Sequence, residues 1–524
     1  MTKLSYSETN VDLLVIGGGL TAFRALYNVD RQNNKIILVS DGLGASPFVH
    51  GISIPLTKED SVEKLYEDIL VSSYFQCDKK LAHTLASNSL KVFDFIKEIG
   101  FDFNQNENGE YEVLKPLGMN YPRVVSIGNA LGLYVLNHLK DEIKKDIDLV
   151  KGRVIKIFKN DSSFSSICVT NDKIMIINSK CILAASGGFS RLFSFNTNTK
   201  DISGDTIAGL FEIGADVVDM EFVQFEPSVA VYPKKLVGRS VITTMMYEGA
   251  ILTNKHNERF MLKYDSNGER VNKDIMSKAI ANEILIGNGN ENEGIYFDAT
   301  GVPKEILLTK YKSYYERYIN VGIDISKTPM QIAPGAHTTL GGLKIDTKCN
   351  TTVKGIFAAG EIVGGIHGAN RLGGCAGLET LVFGDIAGTS INEYLKKVKT
   401  LPISRSDKAL EFVNSLTKSS VKLDKERNEL ANILTNSFSV IRNKDNMEKG
   451  YKELLNLLSK LKANDISSIR LRNDINVALL LAKSAIERNM SVGCHYISGL
   501  DSKKETKRYQ IIINKKEGLR RLDL

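Results

Sequence analysis

Hydrophobic and polar positions change their period several times along the chain. Val11 to Ile16 (VDLLVI) is a short apolar run, the pattern of a strand buried on both faces. It stops on Gly17-Gly18-Gly19, and Phe23-Arg24-Ala25-Leu26 then continue at helical spacing. Lys35 to Ser40 (KIILVS) predicts a second strand, and Cys181 to Phe189 (CILAASGGF) another that closes on a Gly-Gly turn. Gly355 to Gly384 predicts a strand ending on Gly360-Glu361, a glycine-rich loop, and a helix from near Ala376. From Asp407 to Glu487 apolar positions such as Leu430, Ile433, Leu434, Phe438 and Ile441 recur at helical spacing. The tail from Asp501 to Leu524 is charged, and its YQIIIN predicts a terminal hairpin strand.

The first turn carries candidate chemistry. Gly17-Gly18-Gly19-Leu20-Thr21-Ala22 is a G-x-G-x-x-A set between a strand and a helix, the context in which such glycines bind a dinucleotide. Gly17 permits the tight turn, Gly19 lets a pyrophosphate reach the backbone, and Ala22 lets helix and strand pack closely. The helix N-terminus offers unpaired amides and the positive end of its dipole to phosphates. The second strand should end on an acid for the ribose hydroxyls, and here it ends Ser40-Asp41. Glu361, after its own strand, is a further acceptor for a sugar hydroxyl, and the helix near Ala376 points its N-terminus at a polar cofactor edge.

Composition narrows the classes. The 524 residues are 43% hydrophobic and 25% charged, ordinary for a globular protein of more than one domain. No window approaches the roughly 18 to 20 apolar residues of a membrane span. The polar opening from Met1 to Asn10 lacks a secretory pattern. The six cysteines (Cys77, Cys168, Cys181, Cys349, Cys375, Cys494) form no CxxC pair, so no zinc ribbon, iron–sulfur cluster or c-type haem is expected, and a reducing cytoplasm is. The net charge of +7 sets 68 basic against 61 acidic residues without a basic–aromatic run, so a nucleic-acid partner is not expected.

The late segments carry a family resemblance. DMEFVQFEP (219–227), APGAHTTLGG (333–342), and above all AAGE, HGANRLGG and LVFG within 355–384 resemble the flavoproteins of the fumarate reductase, succinate dehydrogenase and L-aspartate oxidase family. The similarity runs in order from about residue 11 to 395 and more weakly to about 515. It implies an α/β fold: a Rossmann-like FAD-binding domain split in sequence (1–215 and 333–400), an inserted α+β capping domain (216–332) and a C-terminal helical domain with a strand-like tail (401–524). The cap closes over the flavin and excludes water. The resemblance assigns FAD contacts to Gly17, Gly19, Leu20, Thr21, Ala22, Ser40, Asp41, Ser46, His50, Gly51, Ala185, Gly187, Asp205, Glu361, Arg371, Ala376 and Leu378. Relatives that attach FAD covalently use a histidine after a Ser near the second strand. The matching pair here is Ser46-Pro47, so non-covalent FAD is expected. His50 falls in the loop passing the reactive flavin edge, and His367 is expected to support the FAD loop.

In the family, arginine and histidine donors clamp a dicarboxylate, a hydride passes between flavin and one carbon, and an arginine exchanges a proton at the next. Arg371 matches the carboxylate-binding arginine, whose fork suits bidentate contact. His337 matches a substrate histidine, with Thr338 in place of the usual tyrosine, and Glu248 matches a proton-relay glutamate. Other positions depart. The family's QFHPT reads Gln224-Phe225-Glu226-Pro227-Ser228, so a histidine has become Glu226, which repels a carboxylate. The proton-transfer arginine aligns with Lys273, which can donate a proton but lacks the fork. The arginine of RGEGA is Met246, and the ESRG-x-H-x-R stretch reads Met490 to Ile497, without its acid and both arginines. The glutamate typical of L-aspartate oxidases aligns with Leu117.

The losses concentrate where the family binds substrate, while the FAD signature stays nearly whole. The expected function is hydride transfer at a carbon beside a carboxylate, in a substrate other than fumarate with one carboxylate end, and Glu226 and Lys273 are expected to form an ion or acid–base pair. Two alternatives stay open: an L-aspartate-oxidase-like amino acid oxidase, and a catalytically silent flavin-binding subunit. Electrons come from or leave to a partner protein, a reduced nicotinamide, a free flavin, a dye-like donor or oxygen.

Overall fold

The computed structural model describes residues 5–116, 119–171, 173–417, 422–461, 464–500 and 507–524. Leu117 lies outside them. The apolar run at the N-terminus becomes the strand Tyr6–Ile16, central in a seven-stranded sheet. It pairs in parallel with Ile36–Ser40 on one side and Ile174–Ala184 on the other, and Asp148–Lys151 extends the sheet in parallel beyond Ile36–Ser40. The strand starts earlier than its apolar core predicts. Tyr6 to Asn10 are mostly exposed, and backbone pairing with Ile174–Asn178 holds them extended. Leu13, Leu14 and Val15 are fully buried, as a strand covered on both faces requires.

Two helices pack against this sheet and against each other. Leu20–Asn28 follows the glycine turn, and Cys375–Val398 crosses it closely. The closeness depends on small residues: a Cβ at Gly388 would fall 2.2 Å from the Ala25 carbonyl oxygen. Ile356–Ala358 returns to the same sheet, parallel to the end of Ile174–Ala184, and so brings Glu361 and Arg371 back to the first turn.

Between these pieces a separate core forms around a four-stranded antiparallel sheet in the order Val223–Tyr232, Met330–Thr339, Ile295–Asp298, Ile251–Thr253. The helix Lys273–Leu285 packs on it. Beyond residue 400 the helices Asp407–Ser415, Asp424–Phe438, Lys444–Lys460 and Ile466–Glu487 follow the helical periodicity of the sequence. The tail forms the hairpin Tyr509–Asn514 and Gly518–Asp523, paired to Val217–Val218. Buried Arg488 pins this hairpin: it bonds Glu221, Asp219 at 3.3 Å and the Tyr509 carbonyl at 3.2 Å. Among the described residues no helix is long and apolar enough to cross a membrane.

Candidate active site

The first turn is built as a cradle. Gly17 has φ +121°, and a Cβ there would lie 2.1 Å from the Ala185 carbonyl oxygen, so only glycine fits. Ala185 is tied to the first strand by its amide on the Ile16 carbonyl at 2.8 Å. The helix Leu20–Asn28 starts on Gly19 with no side-chain cap from that residue. The Ser46 hydroxyl caps it instead, accepting from the Leu20 amide at 2.8 Å. Thr21 and Ala22 are buried on the helix side facing the sheet and the Cys375 helix. Thr21 Oγ1 is the atom a Cβ at Gly360 would meet, at 2.5 Å.

The other cofactor candidates fall around this turn to different degrees. Ser40 bonds its hydroxyl to the Gly42 carbonyl, and the exposed Asp41 carboxylate is taken by Arg153 at 2.7 Å. Gly187, with φ +79°, continues the turn after Ala185. Ser186 Oγ between them is buried without a partner, as is Thr199 Oγ1. Glu361 accepts the Thr339 amide at 3.0 Å. Its Oε1 lies where a Cβ at Gly188 would come within 2.6 Å. Burial pushes the Glu361 carboxyl up to about 7, against the pull of the Thr339 amide. Ala376 and Leu378 lie in the first turn of the Cys375–Val398 helix, which begins on left-handed Gly374 without a side-chain cap. Gly51 pairs its strand with Ser126, and exposed His50 rests its Nδ1 on the Asn129 carbonyl at 2.7 Å. Asp205 is directed elsewhere: its carboxylate is shared by Ser203 at 2.9 Å, Asn473 at 2.8 Å and Arg470 at 3.4 Å. A glycine cradle, a helix start capped only by Ser46, an uncapped second helix start and buried hydroxyls without partners suit a dinucleotide's phosphates and sugars.

The substrate candidates gather on the edge of the second core. Glu226, on Val223–Tyr232, is 6% exposed and forms an ion pair with Lys273, the first residue of the Lys273–Leu285 helix. Burial alone would raise the Glu226 carboxyl, but the Lys273 ammonium, with Arg371 nearby, outweighs it and holds it below the ordinary carboxylate value. His337 owes its aim to a bulge: Gln224 pairs with Thr338 and Phe225 with Ala336, which leaves His337 unpaired between them. Its Nδ1 meets the Thr197 hydroxyl at 2.7 Å, and its carbonyl accepts from Ser190 and Asn198. Desolvation, with Lys273 and Arg371 nearby, lowers its imidazole to about 3 despite Glu226, so the ring is neutral near pH 7. Arg371 is 7% exposed. Its Nη1 bonds the adjacent Leu372 carbonyl at 3.2 Å and its Nε has no partner. Among the described residues no carboxylate lies within ion-pair distance of it.

Glu248 stands apart from this cluster. It ends the turn Thr243–Glu248 and pairs with Lys310 at 2.5 Å, beside buried Met246. His367 bonds Glu379 at 2.8 Å, both buried, within the glycine-rich loop and the helix after it. His495 is enclosed by Arg442 and the Arg488 carbonyl, which with burial drives its imidazole well below the ordinary value. Sequence reading did not find Thr197, which orients His337, or the Arg488 network. Neither has a local signal, since Thr197 and His337 are 140 residues apart.

Residues 12–376 match the model of the FAD binding domain and residues 427–510 that of the fumarate reductase flavoprotein C-terminus. The chain belongs to the FAD-dependent flavoprotein family of fumarate reductase and L-aspartate oxidase. It is 30% identical to one of the subunits of the CoM/CoB fumarate reductase of Methanothermobacter marburgensis, over 96% of this chain and 97% of that one. It is 27% identical to L-aspartate oxidase of Yersinia pestis, over 94% and 96%. The fold superposes on FrdA of E. coli quinol fumarate reductase with a TM-score of 0.88 at 23% identity, covering 99% of this chain and 97% of that chain. As a member of this family, the protein is an FAD-dependent oxidoreductase, and the cradle around Gly17 and Glu361 has the chemistry to hold its FAD.

Proposed function

We propose that the chain transfers hydride across the carbon–carbon bond next to a substrate carboxylate, reducing an unsaturated acid other than fumarate or dehydrogenating its saturated counterpart. Arg371 carries the reading. A guanidinium buried to 7% exposure, with an orphaned Nε and no carboxylate partner among the described residues, is costly unless an anion completes it. A planar carboxylate supplies that anion, and two parallel N–H bonds fix its plane. Withdrawal of electron density toward Arg371 through the conjugated double bond makes the carbon β to the carboxylate a better hydride acceptor.

FAD, held non-covalently beside Ser46-Pro47, supplies the hydride donor or acceptor when bound. The rest falls to side chains of the cluster. The Lys273 ammonium donates the proton at the carbon bonded to the carboxylate on reduction and takes it back in the reverse direction. Glu226 holds Lys273 in position, and Thr197 fixes one ring nitrogen of His337 so that the other faces away from it. Met246 removes the guanidinium through which a relay from Glu248 would pass, and Lys310 occupies the Glu248 carboxylate. A partner protein is the favoured electron source or sink, since the methanogen relative is itself named as one subunit of its enzyme.

A second reading, amino acid oxidation, is favoured by one feature: Glu226 is held ionised, and a carboxylate there can receive an ammonium. Assay of the FAD-loaded protein with reduced viologen dye and a panel of unsaturated acids tests the first reading. Dye oxidation by at least one enoate is expected. Silence across the panel, with peroxide formed from an amino acid, would overturn it.

A further inference from the structure

The charges around Arg371 say more about the acid. Two cations face the cluster, Arg371 and Lys273, and one anion, Glu226. Glu226 Oε2 and Lys273 Nζ are in direct contact, with side-chain exposures of 7% and 30%. The two positions sit on different elements, a strand and the first turn of a helix, so their meeting is a property of the fold and not of local sequence. The pair is therefore neutral as a unit. His337, neutral near pH 7, adds no charge. Lys310 and Lys278, two other cations of the cap, are already paired with Glu248 and Asp274. Met246, buried at 4% exposure, brings no charge. Among the described residues Arg371 is left as the one charge of the cluster without an ion-pair partner.

We propose that the substrate is a monocarboxylic acid, uncharged at the end away from Arg371, because the Glu226–Lys273 pair leaves a second carboxylate no cation to meet. The inference rests on the reading above, in which Arg371 takes the first carboxylate. A dicarboxylate would have to strip Lys273 from Glu226 and leave a buried carboxylate unpaired, or stand beside Glu226 and be repelled. An uncharged end does neither. The pair thus selects by rejection as much as by fit. It also keeps Lys273 in place for its proton, which a free, rotamer-rich lysine would not do.

The test measures binding without turnover. The FAD-loaded, oxidised protein is titrated with butyrate, succinate and β-alanine, and dissociation constants are read from the flavin absorbance. In the wild type butyrate should bind more tightly than succinate. Glu226→Gln frees the Lys273 ammonium with almost no change in shape. The ratio of the two constants should then move toward succinate by roughly 10- to 100-fold. Lys273→Met, the second variant, leaves Glu226 unpaired and should weaken succinate still further relative to butyrate. An unchanged ratio in Glu226→Gln, with both acids still perturbing the flavin, would overturn the inference while leaving the Arg371 reading intact. Tightest binding of β-alanine would overturn it too, by assigning Glu226 to an ammonium. Loss of every acid response in wild type would instead take down the Arg371 reading itself.

Discussion

Two arginines of this protein are almost equally buried and should behave oppositely when replaced. Arg488 has a fully buried side chain and bonds Glu221, Asp219 and the Tyr509 carbonyl. Arg371 is 7% exposed, and among the described residues its side chain bonds only the neighbouring Leu372 carbonyl. Arg488→Met leaves Glu221 and Asp219 buried without the guanidinium they bond, a loss of about 3–5 kcal/mol. Arg371→Met removes a cation that no carboxylate among the described residues neutralises at bonding distance, so the change should lie between zero and a gain of about 2 kcal/mol. The gap between the variants is then at least about 3 kcal/mol, a factor of roughly 150 in a folding equilibrium. Urea unfolding of the FAD-free proteins at pH 7, followed by circular dichroism, measures it. A loss in Arg371→Met comparable to that in Arg488→Met would refute the reasoning, because Arg371 would then be holding the fold and not waiting for an anion.

Other outcomes follow from the same geometry. Glu361, with its carboxyl raised to about 7 by burial, is protonated below that pH and ionised above it. Sugar hydroxyls donate to the ionised form, so FAD affinity of the apoprotein should rise from pH 6 to pH 8, by about tenfold per unit at the acid end. Glu361→Gln should flatten that slope in a fluorescence titration. Lys273→Met should lower kcat by about 10²- to 10⁴-fold, the usual weight of a positioned proton donor, with single-turnover absorbance separating chemistry from release. Glu248→Gln breaks only the half-exposed pair with Lys310 and should change kcat by less than about fivefold. A loss of hundreds-fold would restore the relay role that the family resemblance gives it.

The cofactor half of the site was legible from sequence because its requirements are local. A strand, a G-x-G-x-x-A turn and a helix must follow one another directly, and Val11 to Leu26 show all three. The Cys375–Val398 helix was readable for the same reason, from the loop that feeds it. The substrate half depends on distant meetings. That Glu226 and Lys273 touch was an expectation from two substitutions, and the packing of the Lys273–Leu285 helix on its sheet is what brings them together. The aim of His337 depends on a bulge against Gln224 and Phe225, and no periodicity in APGAHTT announces a bulge. The early start of the first strand, through polar Tyr6 to Asn10, was hidden because backbone pairing and not burial holds it. Asp205 matched a cofactor position by sequence, yet its carboxylate is engaged by Asn473 and Arg470 of a helix more than 250 residues away.

The central claim is that hydride moves beside a carboxylate held by Arg371. Anaerobic stopped-flow absorbance addresses it most directly, with the chemically reduced holoprotein mixed against crotonate, fumarate and related unsaturated acids. The oxidised form is mixed in parallel with aspartate and other amino acids. The account predicts saturable reoxidation of the flavin by an unsaturated monocarboxylate, lost in Arg371→Met. Reduction of the oxidised flavin by an amino acid, with no unsaturated acid reacting, would contradict it, and so would a flavin that neither panel touches.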